Sequence, residues 1–266
     1  LHERLPEIGI DYALFYTTTA MGFLAVADDD LRRGLGAGWN SYRADRNAPY
    51  TDRMAFAGLI PMHTPEEAQD ELRHCAELGL KVVAFPEGVL RRIASPDATN
   101  PSPFLWPNQT HWFDTFGLDS AHDYDPVWAE ARRLGYPVTF HGGLGLKPGL
   151  WTSVSNYSHN HIGVFAKQMD AVCKSLYFGG VTRRFPGHPF VFLECGVAWG
   201  TQLLGDIVEH WHKRNTDSLS ALDPSRLDVD ELKRYYDTYG EDLDRLLGGR
   251  DVLELFEAMR HSPTPD

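Results

Sequence analysis

The sequence predicts an α/β fold of parallel strands, of the (β/α)8 TIM-barrel type but incomplete in this chain, with about five or six βα units. Three observations carry that prediction. Short apolar runs alternate along the chain with helical patterns. The helical patterns stop at glycine and the next apolar run follows within a few residues, which is the grammar of βα units. The Gly-rich turn that an open dinucleotide-binding sheet needs after its first strand is missing: Tyr16-Thr17-Thr18-Thr19 stands there, and Gly34-Leu35-Gly36-Ala37-Gly38 follows no strand.

The predicted strands are Tyr12–Thr17, Ala55–Met62 (with Pro61 as a break near its end), Leu80–Phe85, Pro137–His141 and Pro189–Glu194. Each is rich in Val, Phe or Leu, and the runs are continuous rather than alternating. That suits parallel strands covered on both faces. Thr64-Pro65-Glu66-Glu67 opens a helix with a capping Thr, a Pro at the first helical position and a Glu at the third; it runs to about Leu78 and stops at Gly79. Asp125-Pro126 opens a second, ending at Gly135. Ile162–Phe178, Trp199–Arg214, Val229–Tyr239 and Asp242–Met259 follow. A full barrel takes about 250 residues and eight strands, so five strands in 266 residues fall short. We therefore expect one barrel domain over residues 1–266, with an aromatic and Pro-rich insertion at 86–124 and a helical segment at 199–260. Trp106, His111, Trp112 and Phe113 make that insertion a packed lid rather than a linker.

Composition narrows the function. Apolar residues make up 42% and charged residues 23%, which rules out a disordered or coiled-coil chain. A net charge of −12 disfavours nucleic acid and anionic membrane surfaces as partners. The cysteines are Cys75, Cys173 and Cys195, an odd number without CxxC spacing, which fits a reduced, cytoplasmic protein. No apolar run is long enough to span a bilayer. The chain opens on Leu1 rather than Met, and we expect residues to precede it.

In parallel barrels the reactive side chains stand at the C-terminal ends of strands. His141 ends the fourth predicted strand and is followed by Gly142-Gly143, which leave room beside the ring. It reads as a metal ligand or acid–base, and equally as a histidine bonded to a backbone carbonyl. Glu194 ends the fifth strand, either at the mouth or in a salt bridge with Arg183 or Arg184. Glu87 reads first as a solvated carboxylate or a partner of Arg91, and His63 as a packing or capping residue. His159 and His161 could reach one metal together only in an extended segment; a polar loop pair is the plainer reading. Cys195 reads as a small buried thiol. No GxSxG, P-loop or HExxH occurs. Two chemistries survive: a metal site with His141 as one ligand, or a glycosidase with Glu87 and Glu194 as its carboxylate pair.

Several segments together resemble the amidohydrolase-related family, the metal-dependent barrels that include aminocarboxymuconate-semialdehyde-decarboxylase-like enzymes. They are Tyr124-Asp125-Pro126-Val127-Trp128, Gly135 through Gly143, Asn160-His161-Ile162-Gly163, Gly179 through Pro186, and Phe192-Leu193-Glu194-Cys195-Gly196. Gly9-Ile10-Asp11 and Ile60 through Ala68 are also similar. The resemblance implies a divalent metal, zinc first and manganese second, with His141 as the ligand at the end of the family's fifth strand. It also implies Glu194 as an acid–base or substrate-orienting group, with His161 as a lesser catalytic candidate. The family's first-strand His-x-His or Glu-x-His pair and last-strand Asp have no match here. The five strands then correspond to the family's second through sixth, and the chain reads as an internal piece that by itself holds metal weakly.

The resulting expectation is a metal-dependent hydrolase acting on a small carbonyl-containing substrate, with association between copies left open. A non-oxidative decarboxylase on the same site is the first alternative. A carboxylate-pair glycosidase or an inactive, incomplete barrel is the second.

Overall fold

All five apolar runs become strands of one parallel sheet in the computed structural model, which describes residues 1–93, 110–142, 153–220 and 223–240. In chain order β1 (Ala13–Phe15), β2 (Met54–Leu59) and β3 (Val82–Pro86) come first. A hairpin of β4 (Val89–Arg92) and β5 (His111–Asp114) follows, then β6 (Val138–His141) and β7 (Phe190–Phe192). The parallel sheet has the order β1-β2-β3-β6-β7, so it grows in one direction only. A doubly wound sheet reverses its strand order partway; this one has the winding of a barrel.

The sheet is also curled. Strands β1 and β6 stand three positions apart, about 14 Å in a flat sheet. Yet Tyr16, just past β1, and His141, the last residue of β6, bring their ring centroids within 6.0 Å. Side chains from strands that are not neighbours thus converge on one concave face at the C-terminal ends of the strands.

The helices are α1 (Asp29–Asn47), α2 (Pro65–Glu77), α3 (Asp125–Leu134), α4 (Tyr157–His161), α5 (Val164–Phe178), α6 (Val181–Arg184), α7 (Ala198–Arg214), α8 (Thr216–Leu219) and α9 (Val229–Tyr239). The chain divides into two units, Leu1–Gly200 and Thr201–Asp266, and the whole sheet lies in the first. Among the described residues no helix is long and apolar enough to cross a membrane.

The two faces of the sheet follow the two-residue period of the strands. Val83, Phe85, Val138 and Phe140 join a core with Leu72 of α2 and Trp128 of α3. Ala55, Ala57, Leu59, Val82 and Ala84 form a second cluster with Ala20, Met21 and Leu24, which belong to a 3-10 turn, Ala20–Ala25. Thr139 and His141 have the parity opposite to Val138 and Phe140, so His141 belongs to the concave face.

The capping signal at Thr64 is realised in full. The Thr64 hydroxyl accepts from Glu67 N, and the Glu67 carboxylate accepts from Thr64 N and His63 N. Thr64→Ala is expected to lower stability by about 1 kcal/mol, read as a fall in the urea midpoint with an unchanged slope. Glycine is required at Gly58 on β2, where a Cβ would stand 2.5 Å from Cys75 Sγ of α2.

Three elements depart from the sequence reading. Helix α1 was not expected, because Gly34, Gly36 and Gly38 disfavour a helix. It is held by tertiary contacts instead. Asp28 caps it through Leu31 N, and Asn40 donates to Leu59 O and accepts from Leu59 N, joining α1 to β2. The expected helix over Ile162–Phe178 is α5 and starts at Val164, because Gly163 at φ +78° separates it from the short helix α4, which the sequence reading does not contain. The insertion carries the β4–β5 hairpin. Trp106, in the same insertion, lies outside the described residues, as does the expected helix Asp242–Met259.

Candidate metal centre

His141 is placed by the last residue of β6 and enclosed by α5. Only glycine at position 142 permits that approach: a Cβ there would lie 2.5 Å from Gln168 Oε1 and 2.8 Å from Phe165 Cδ1. His141 is 8% exposed and lines a cavity of about 1190 Å³. It stacks on Tyr16 and meets Phe165 edge-on at 6.2 Å. Burial raises the pKa of the Tyr16 phenol, with a smaller opposing effect from its hydrogen bond with Thr139.

The two ring nitrogens have separate jobs. Nδ1 lies 2.7 Å from the Gly142 carbonyl oxygen, which can only accept, so Nδ1 carries the hydrogen. In the neutral ring Nε2 is then an acceptor, and it faces Glu194 Oε2 at 3.4 Å. Two facing acceptors call for a proton or a cation between them. Two ligand atoms each about 2.1 Å from one tetrahedral ion are about 3.4 Å apart. The pair therefore fits two corners of a divalent-ion site, with the Gly142 carbonyl fixing the ring behind it. Among the described residues no group of three or more His, Cys, Asp or Glu could hold a metal, so these two would supply only part of a donor set.

Glu194 lies two residues past β7 with φ +56°, a left-handed conformation uncommon for a non-glycine residue. Its side chain is 60% exposed. The alternative ion pair with Arg184 is not formed, because Arg184 holds Asp125 at the start of α3, with Nη2–Oδ1 at 2.8 Å. Cys195 beside it packs against the core and donates to Phe192 O, and burial raises its thiol pKa.

His161 lines the same cavity as His141 and Glu194. It stacks on Tyr157 at 5.0 Å and meets Phe165 edge-on at 5.3 Å. His159 and His161 sit two apart on α4, and side chains two apart on a helix point about 160° apart. The extended segment that a shared metal would require is not present.

The solvated reading of Glu87 is corrected: it is fully buried and does not line the cavity that Glu194 lines. The Glu87–Glu194 carboxylate pair therefore does not share this cavity. His63 lies outside it too. Burial, reinforced by the Arg32 charge, pushes its imidazole pKa down to about 4, so it is neutral at pH 7. Arg91 donates to Asp114, to His63 O and to the Tyr124 hydroxyl.

Three residues of the site escaped sequence reasoning: Tyr16, Phe165 and Gln168. For Gln168 a signal existed. Val164, Gln168, Val172 and Leu176 form an i, i+4 row that is buried throughout, and one member is polar.

Comparison with known proteins agrees with this architecture. A family model described as amidohydrolase matches residues 15–248. Among solved structures, the apo form of IDCase from Metarhizium anisopliae superposes with a TM-score of 0.58 at 14% identity, covering 85% of this chain and 53% of that one. An amidohydrolase from Mycobacterium avium subsp. paratuberculosis gives 0.56 at 17%, covering 87% and 60%. A 5-carboxyvanillate decarboxylase from Novosphingobium aromaticivorans, solved with manganese and 3-methoxy-4-hydroxy-5-nitrobenzoic acid, gives 0.50 at 18%, covering 85% and 56%. At these identities the likeness is one of fold, and the chain spans between half and three fifths of their lengths. No curated protein gives a significant match. With the family model matching residues 15–248 of 266, the chain belongs to the amidohydrolase family.

Proposed function

We propose that the chain carries part of the active site of a metal-dependent hydrolase acting on a small carbonyl compound, with His141 as a metal ligand and Glu194 beside it. The observation that carries this reading is the pair of facing acceptors, His141 Nε2 and Glu194 Oε2, 3.4 Å apart at the mouth of the curled sheet. A divalent ion held there would polarise a carbonyl oxygen or lower the pKa of a bound water. The Gly142 carbonyl keeps the His141 lone pair turned toward the cavity. Glu194, exposed and opposite it, would share the ion through Oε2 and leave Oε1 to take a proton from the attacking water and return it to the leaving group. His161, between Tyr157 and Phe165 on the cavity wall, orients the substrate. Zinc suits a neutral imidazole with a carboxylate; manganese is supported by its presence in the similar decarboxylase.

A carboxy-lyase is the second reading. It uses the same residues and is favoured by the aromatic rings of Tyr16 and Phe165 around His141, which suit a planar substrate. The free cysteines support a reducing, cytoplasmic setting.

Metal analysis of the purified chain after dialysis tests the proposal. Bound zinc or manganese that approaches one equivalent under saturating metal and is lost in His141→Ala is the expected result. Hydrolytic activity undiminished in strong chelator would contradict it.

A further inference from the structure

The polar member of the α5 row has a use that the metal reading leaves untouched. Gln168 is 3% exposed, and neither Oε1 nor Nε2 has a hydrogen-bond partner among the described residues. Buried amides without partners are uncommon because each unmade bond is unfavourable, and an apolar residue would complete the row without that penalty. Gln168 lines the cavity shared by His141 and Glu194, and its amide lies against Gly142, the residue after His141. Two independent observations thus meet at one place: a cavity wall, and a buried donor–acceptor pair without a hydrogen-bond partner among the described residues.

We infer that Gln168 is a second substrate-orienting residue of this cavity beside His161, and that its carboxamide edge pairs with an amide edge, a primary carboxamide or a lactam, carried on an aromatic ring. A glutamine edge presents one N–H donor beside one carbonyl acceptor. Its complement is a group with an acceptor and a donor side by side, which an amide supplies. A carboxylate supplies two acceptors, one of which would face Oε1. The ring is accommodated by Phe165 and Tyr157, which line the same cavity. Either placement of the amide oxygen and nitrogen leaves this complementarity intact. The inference rests on the reading of the cavity as a substrate site, but it does not require the metal.

The test uses benzamide and benzoate as probes, titrated by ligand-observed NMR against the full chain in chelator. Wild type is expected to bind benzamide about tenfold more tightly than benzoate. In Gln168→Leu and Gln168→Met the benzamide affinity falls about tenfold and the preference between the probes disappears. The ratio of the two affinities does not depend on the fraction of folded protein, so a destabilised variant still reports. Absence of saturable benzamide binding, equal binding of the two probes by wild type, or a preference that survives Gln168→Leu would each overturn the inference. Metal binding that persists in His141→Ala alongside a Gln168-dependent preference would refute the metal reading and leave this one standing.

Discussion

Glu67→Ala is expected to destabilise the chain by about 3–5 kcal/mol, the cost of leaving a buried ion without its partner. Arg32 on α1 and Glu67 on α2 have fully buried side chains, with Nη2–Oε2 at 2.8 Å. Glu67 also receives Arg33 Nε at 3.3 Å and His63 N at 2.6 Å. Its removal leaves the Arg32 guanidinium inside the protein with Val26 O and the exposed Asp29 as its hydrogen-bond partners. Replacing both ions with apolar residues of similar size, as in Arg32→Met with Glu67→Leu, restores much of the loss. The pair also gives stability a pH dependence. Burial alone would raise the Glu67 pKa, but the hydrogen bond and charge of Arg32 outweigh it and hold the carboxyl below its ordinary value. A depressed folded pKa contributes stability above the unfolded value, about 4.3, and that stability is lost as pH falls through the folded value. Urea midpoints on acidification are therefore expected to fall more steeply in wild type than in Glu67→Gln.

His141→Ala is expected to weaken manganese binding by more than the 10- to 100-fold typical of losing a residue that merely supports a ligand. The ring offers the single imidazole lone pair that faces Glu194, and no alternative group of three or more donors exists among the described residues. Glu194→Gln keeps the shape and removes the charge, so it is expected to weaken the same binding by a smaller factor. In the double variant the two losses do not add, since each single variant already breaks the shared site. Equilibrium dialysis with manganese checks all three.

The strands were legible because a parallel strand buried on both faces has to be a short continuous apolar run, as Val82–Pro86 and Val138–His141 are. Helix α2 was legible because its capping chemistry is local, carried by Thr64 and Glu67. Helix α1 was not, since what holds it is Asn40 reaching Leu59 and Arg32 reaching Glu67, and contacts 19 and 35 residues apart leave no local trace. Position at a strand end identified His141 and Glu194. Their spacing came only from the structure, because it depends on the pairing of β6 with β7 and on the left-handed backbone at Glu194. Glu87 misled for a related reason: its burial depends on packing around the β3–β4 turn, which the sequence does not display.

In the proposed site the His141 imidazole grips a divalent ion at the mouth of this curled sheet. Pulsed EPR of the chain loaded with manganese reads that contact directly. Nitrogen-14 modulation from a directly bound imidazole is expected in wild type and gone in His141→Ala. Bound manganese without nitrogen coupling, or coupling that persists after His141 is removed, would contradict it.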